Sequence, residues 1–361
     1  MEIHKEMKRI IQMVDSLNYG DAIGNHAVAI SRKLSALGIT NTICVNYADP
    51  RLEQYATLIS DYHEEADDIV IYHLCTGSSL SNKVMDLHCK VIINYHNITP
   101  PSFFSDYGRR YYDGAMQGYK EARMLAERAD YVVTPSEYNK SEMIKLGYKC
   151  PIDVVPIIIK FDDYQQTPDE NVLNTYRNTD SDYKNIIFVG RIVPNKRQED
   201  LLKDFCYYQN YYHEKSRLFI IGNYVNMELY YLQLKKYIKN LKLQNVIFPG
   251  HISFSELLAY YRASDLFLCE SEHEGFCVPL VEAMYFKVPL IAYASSAIPD
   301  TVGDAGLLLQ KKNPAYTASL MNELLSNPQE IKSMQQRQTE RLKCFDENVV
   351  FDKLMQVINE L

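Results

Sequence analysis

Ser271–Glu282 reads SEHEGFCVPLVE, between the apolar run DLFLCES and the run PLIAYAS. Two carboxylates, Glu274 and Glu282, are separated by seven residues, among them Gly275, Phe276 and Pro279. Pro279 suits the first position of a helix, where its missing N–H is no loss. PLVEAMYF is then expected to be that helix, with Glu282 near its start and Glu274 in the preceding loop. Gly275 lets backbone approach a ligand closely. A helix N-terminus attracts phosphate, and carboxylates are natural partners of sugar hydroxyls. Taken alone, such a pair is also an ordinary solvated helix start.

The surrounding sequence alternates short apolar runs with amphipathic stretches. RIIQMV, NTICVNY, DIVIYHL and VIINYHN read as strands, and NHAVAISRKLSALG as a helix ending at Gly38. DYVVTPS follows a long helical stretch and precedes a helix starting near Ser136. After a polar, proline-containing segment the alternation resumes with NIIFVG, SRLFIIGN, NVIFPG, DLFLCES and PLIAYAS, each followed or preceded by a helix. Strands alternating with helices predict parallel sheets with helical crossovers. Two such series predict two Rossmann-like domains facing an interdomain cleft, with ligands outside the carboxyl ends of the strands. The expected boundaries are 1–160 for the N-terminal domain, 161–184 for a linker and 185–344 for the C-terminal domain. Residues 345–361 are expected to form a helix crossing back to the N-terminal domain.

Composition fits this reading. The 361 residues are 47% apolar and 23% charged, ordinary for a globular protein of two domains. A net charge of −8 argues against nucleic acid as a partner, because phosphate contacts need a basic face. The eight cysteines form no C-x-x-C pair and no zinc-like spacing, so free thiols in a reducing cytoplasm are expected. MEIHKEMKRI does not read as a signal peptide, and no apolar run has the length of a membrane span. The 29 tyrosines, with no tryptophan, are expected mainly to pack along helices.

A second motif, FVGRIVPNKRQEDLL, is a strand, a loop with Gly190, Arg191 and Lys196, and a helix. A guanidinium and an ammonium there can reach over a diphosphate, the first by forking onto two oxygens and the second as a point charge. This loop and SEHEGF leave different strands of one sheet on the same edge. In the N-terminal half, NYGDAIGNHA places Gly20 and Gly24 in a strand-to-helix loop, and NYHNITPP puts His96 at the carboxyl end of a strand.

Together VGRIVPNK, FPGHIS, SDLFLCES and EGFCVPLVEAM resemble the retaining glycosyltransferases of family four (glycosyl transferases group 1), which have the GT-B fold. The resemblance spans nearly all of residues 8–361 and is strongest in the C-terminal half. It implies that Arg191 and Lys196 grip the donor diphosphate, that Glu274 faces the donor sugar, and that Glu282 holds the ribose hydroxyls. Gly190 ends the strand below them. The backbone at Gly275 and Phe276 would face the sugar, and His251 and Ile252 would cradle the base. Gly20 and Gly24 would lie under the diphosphate, and His96 would point at the donor sugar. Arg197 departs from the glycine that many members carry after the lysine, which bears on the local turn.

The implied activity is transfer of a hexosyl unit from GDP-mannose or a UDP-sugar to a saccharide or glycolipid, in polysaccharide or glycoconjugate biosynthesis. A sugar-nucleotide 2-epimerase and a non-catalytic glycosyltransferase-like subunit remain alternatives. A nicotinamide oxidoreductase is disfavoured by the lack of G-x-G-x-x-G. No cofactor and no metal are expected: the triplet Asp180-Ser181-Asp182 sits in the polar linker rather than at the end of an apolar strand. A cytoplasmic location is expected, with weak contact at the inner membrane surface through LKKYIKNLK as its outer limit.

Overall fold

The computed structural model describes residues 8–18, 20–177 and 182–361. By their internal contacts these form two units, one comprising the chain through Pro101, Arg110–Lys160 and Phe345–Leu361, the other Ser102–Arg109 and Phe161–Cys344.

The first unit contains strands β1 (Ile10–Leu17), β2 (Asn41–Ala48), β3 (Ala56–Leu58), β4 (Ile69–Leu74), β5 (Lys90–Tyr95), β6 (Tyr131–Thr134) and β7 (Ile152–Val154). They pair in parallel in the order β3-β2-β1-β4-β5-β6-β7. Strand order reverses direction between β1 and β4, so the loops leaving these strands diverge and open a crevice at their carboxyl ends. Helices α1 (Ala22–Ala36), α2 (Leu80–Met85), α3 (Arg109–Leu125) and α4 (Glu137–Leu146) make the crossovers. β4 is buried at every position, as a strand covered on both faces requires.

The second unit repeats the plan. Its strands are β8 (Lys184–Val189), β9 (Ser216–Ile221), β10 (Val246–Gly250), β11 (Leu266–Cys269), β12 (Leu290–Tyr293) and β13 (Leu307–Leu309), in the parallel order β10-β9-β8-β11-β12-β13. The reversal falls between β8 and β11. Its helices are α5 (Glu170–Tyr176), α6 (Gln198–Tyr211), α7 (Glu228–Leu241), α8 (Phe254–Arg262), α9 (Val278–Tyr285), α10 (Ile298–Val302), α11 (Pro314–Leu325) and α12 (Pro328–Leu342). Ile186, Phe188, Phe219, Phe267 and Leu268 from the strands meet Phe205, Leu280 and Met284 from the helices in one apolar core. The last helix, α13 (Glu347–Asn359), belongs to the first unit, where Val350, Phe351, Leu354, Val357 and Ile358 pack with Ile30, Leu34 and Ile92. The spacing of those five residues is one helical stripe.

Two expectations change. Helix α9 starts one residue earlier than read from the sequence, so Pro279 occupies its second position. Within the segment read as a polar linker, Phe161–Gln165 is a 3₁₀ turn whose Tyr164 is buried, and Glu170–Tyr176 is a helix. Polar composition gives no sign of a single long-range anchor. In the triplet read as incidental, Asp180 lies outside the described residues, while Asp182 is exposed and pairs with Lys215 at 3.3 Å.

Candidate nucleotide-sugar site

The loops leaving β8 and β11 are tied to each other. Glu272 N–H donates to the Asn195 carbonyl at 2.8 Å, and the Asn195 side-chain amide donates to the His273 carbonyl at 3.0 Å. Asn195 is buried, so both bonds are shielded from water. Proline at the start of the Pro194–Lys196 3₁₀ turn fixes the approach, and Lys196 N–H closes the turn on the Val193 carbonyl. Lys196 Nζ then lies 2.5 Å from a Glu274 carboxylate oxygen, with 19% and 8% of the two side chains exposed. Burial is the largest single influence and lowers the Lys196 pKa, but the attraction and hydrogen bond of Glu274, with Cys277 and Cys269 nearby, together raise it above the usual value, so the lysine is held as an ammonium. The two motifs separated by about eighty positions of sequence thus meet as one ion pair at the point where strand order reverses.

Arg197, which stands where glycine was expected, keeps the turn. It adopts a left-handed conformation at φ 53° and ψ 44° as it enters α6. Its guanidinium meets Glu199 at 3.0 Å, Glu272 at 3.1 Å and Asp200 at 3.4 Å. Lys312 joins the same acids, at 2.7 Å from Asp200 and 3.1 Å from Glu272. Cys277 enters α9 in the same left-handed region, at φ 72°. Below Arg191, Gly222 and Gly190 pass so close that a β-carbon on Gly222 would collide with the Gly190 carbonyl.

The other expected donor contacts are placed as follows. Arg191 is exposed, with its carbonyl accepting from the Gln198 amide at 2.9 Å. Gly275 is half-buried, and Phe276 is buried with its carbonyl accepting from the Thr301 hydroxyl. His251 is exposed and Ile252 half-buried after the Gly250 turn, where φ is 81°. Glu282 is buried on α9, and its two oxygens accept from the hydroxyls of Tyr164 at 2.9 Å and Tyr261 at 2.7 Å. Burial raises the Glu282 pKa, and the two tyrosine hydrogen bonds offset part of that rise. Each carboxylate oxygen retains a second lone pair for a further donor. Tyr164 and Tyr261 were not singled out in the sequence. Tyr164 lies 118 positions from Glu282, and no local pattern announces such a pair.

Cys269, Glu274 and Cys277 bring one possible metal-ligand atom each within 4.8 Å of one another, all three buried. The Lys196 ammonium already occupies the Glu274 carboxylate, so a cation would have to displace it.

In the first unit, Gly20 takes φ 77° after β1, and Asp21 caps α1 by accepting from Gly24 N–H at 3.2 Å. Gly24, expected in the loop, instead lies in the first turn of α1, because Asp21 caps the helix ahead of it; a β-carbon there would sit 3.1 Å from the Asn18 carbonyl. His96 follows β5 and is not alone. His73 of β4 stacks on it with ring centroids 5.1 Å apart, and His26 of α1 meets it edge-on at 5.6 Å. Burial pushes all three imidazoles down, His26 to about 4 and the others well below the usual range, so all are neutral near pH 7.

Comparison with known proteins bears on the fold and on the C-terminal half of the chain. Residues 175–341 match the family described as glycosyl transferases group 1. The O-antigen chain mannosyltransferase B of Escherichia coli is 26% identical over 205 residues, covering 55% of this chain and 52% of that protein. A GDP-mannose-dependent alpha-mannosyltransferase of Mycolicibacterium smegmatis is 32% identical over 128 residues, 34% of this chain and 29% of its own. The chain spans about half the length of the first of the curated relatives it matches. In fold, Anabaena HepE in complex with UDP-glucose superposes with a TM-score of 0.79 over 98% of this chain and 100% of that one, at 16% identity. Residues 175–341 are therefore similar to a glycosyl transferases group 1 domain, in a chain that has the two-unit GT-B fold.

Proposed function

We propose that this protein is a retaining glycosyltransferase that moves a hexosyl unit from a nucleotide-diphosphate sugar to a saccharide or glycolipid acceptor. The observation that carries the reading is the Lys196–Glu274 pair, assembled from two loops at the carboxyl ends of β8 and β11. A donor brings a diphosphate and, as its glycosidic bond to phosphate breaks, a cationic sugar ring. Lys196 and Arg191 take the growing negative charge of the leaving nucleotide, which is electrostatic stabilisation of a developing anion. Glu274 stands beside the same lysine and orients the sugar, its carboxylate matching positive charge on the ring. Glu282, held by Tyr164 and Tyr261, has lone pairs left for ribose hydroxyls. The acceptor hydroxyl attacks from the face that the leaving phosphate occupies and gives its proton to that phosphate, so configuration is retained. His96 takes a hydroxyl of the donor sugar. The charge at the diphosphate comes from side chains, and no metal is required.

GDP-mannose and UDP-glucose are the first donors to test, because the relatives named above carry mannosyltransferase names and HepE was solved with UDP-glucose. The E. coli relative also points the proposed role toward bacterial surface polysaccharide. The test incubates each donor with saccharide and glycolipid acceptors and follows product mass and anomeric configuration. An α-linked product from an α-linked donor is expected. Isomerised nucleotide sugar without transfer would make the protein an epimerase, and an inverted product would overturn the mechanism.

A further inference from the structure

His96 is the end of a chain of hydrogen bonds that starts in the sheet. The Gln12 side-chain nitrogen donates to the Ala27 carbonyl at 2.9 Å, which fixes the amide: turned over, two oxygens would face each other. The Gln12 oxygen therefore faces His73 Nε2 at 3.0 Å, and that nitrogen must carry a hydrogen. His73 is neutral, so its Nδ1 is a lone-pair acceptor. His73 Nδ1 lies 2.8 Å from His96 Nε2, which must therefore donate. In neutral His96 the remaining nitrogen, Nδ1, is bare. It is covered, and has no hydrogen-bond partner among the described residues, although the side chain as a whole is only half-buried. A covered acceptor without a partner is costly and needs a reason.

His26 makes the cluster consistent. Its Nδ1 accepts from Ile158 N–H at 2.9 Å, so its Nε2 carries the hydrogen. Asn94 must then present its oxygen to that nitrogen. With the Asn94 nitrogen 3.3 Å away, the structure is one amide flip from this arrangement. None of the three rings needs a charge, and among the described residues Gln12 and Asn94 are the carboxamides hydrogen-bonded to them.

We propose that Gln12 and His73 are positioning residues that lock His96 in the Nε2–H tautomer, so that its Nδ1 accepts a hydrogen bond from a sugar hydroxyl. The proposal rests on the glycosyltransferase reading for the identity of that hydroxyl, but not for the tautomer. A ligand presenting an acceptor at that point, such as a carbonyl or carboxylate oxygen, meets a lone pair and is rejected. Selectivity of this kind follows from a buried polar group that only one hydrogen-bond polarity can satisfy.

The tautomer is read directly by long-range nitrogen–proton NMR on the whole protein labelled at histidine rings, with His73→Asn and His96→Phe to assign signals. At neutral pH, His73 and His96 should each show a protonated Nε2 and a bare Nδ1. Addition of UDP-glucose or GDP-mannose, whichever raises the melting temperature, should shift His96 Nδ1 to the hydrogen-bonded range, and the matching nucleotide diphosphate alone should not. In the transfer assay, His73→Phe should lower kcat about tenfold, the value of one hydrogen bond, with donor KM little changed. His73→Asn should recover most of that loss, because the asparagine oxygen stands where Nδ1 stood. A protonated or charged His96 Nδ1 overturns the proposal. So does an asparagine variant no better than phenylalanine, or a nucleotide sugar that binds without moving the signal. The expected tautomers in a protein that transfers no sugar would leave the relay standing and remove the proposed activity.

Discussion

Glu274→Gln removes the charge partner of Lys196 and the carboxylate beside the sugar in one step. Most transfer should be lost with donor and acceptor both saturating, while circular dichroism stays native. Near-normal turnover would remove Glu274 from the chemistry. Arg197 tests the turn beneath the pair. A left-handed backbone costs a residue with a β-carbon roughly 1–2 kcal/mol, and glycine escapes that cost. Arg197→Ala keeps the cost and loses the contacts with Glu199, Asp200 and Glu272, whereas Arg197→Gly loses the contacts but relieves the backbone. By urea unfolding the glycine variant should be the more stable of the two by about 1 kcal/mol. Equal stability would mean that the turn exerts no strain at this position.

At the scale of elements, the β/α alternation was readable because strands buried on both faces are near-continuous apolar runs and helices carry a stripe. The meeting of the VGRIVPNK and SEHEGF loops was also readable, because parallel strands put all their carboxyl ends on one edge. What composition hid were single long-range anchors. The Phe161–Gln165 turn looks like solvated linker, yet Tyr164 reaches Glu282. His26 and His73 lie on an apolar helix face and in a buried strand, where a histidine is an ordinary core residue until the neighbouring strand is known. Pro279 misplaced the start of α9 by one residue, because a proline fits the second helical position as well as the first. The Tyr164 anchor makes its own prediction. Tyr164→Phe leaves one Glu282 oxygen without its donor and should destabilise by about 1–3 kcal/mol in urea unfolding, with weaker nucleotide-sugar binding. Unchanged values in both would make the turn a linker after all.

The whole molecule carries a net charge of −8, yet its proposed ligand is a diphosphate, so positive charge must be local. Arg191 and Lys196 are expected to supply it without a metal. Transfer should persist in excess chelator, and Asp180→Ala with Asp182→Ala should be nearly silent. Loss of activity on chelation, restored by magnesium or manganese, would overturn the charge argument. Among the described residues no helix is long and apolar enough to cross a membrane.

The proposed nucleotide diphosphate site lies where the β8 and β11 loops meet. Calorimetric titration of the intact protein and of Lys196→Ala with UDP, GDP, UDP-glucose and GDP-mannose tests it most directly. The intact protein should bind the diphosphate and the sugar of one base. Lys196→Ala should bind both about tenfold or more weakly, since a charge-assisted contact is worth roughly 1.5–3 kcal/mol. Equal affinity in the two proteins, or no binding of any of the four by the intact one, would contradict the account.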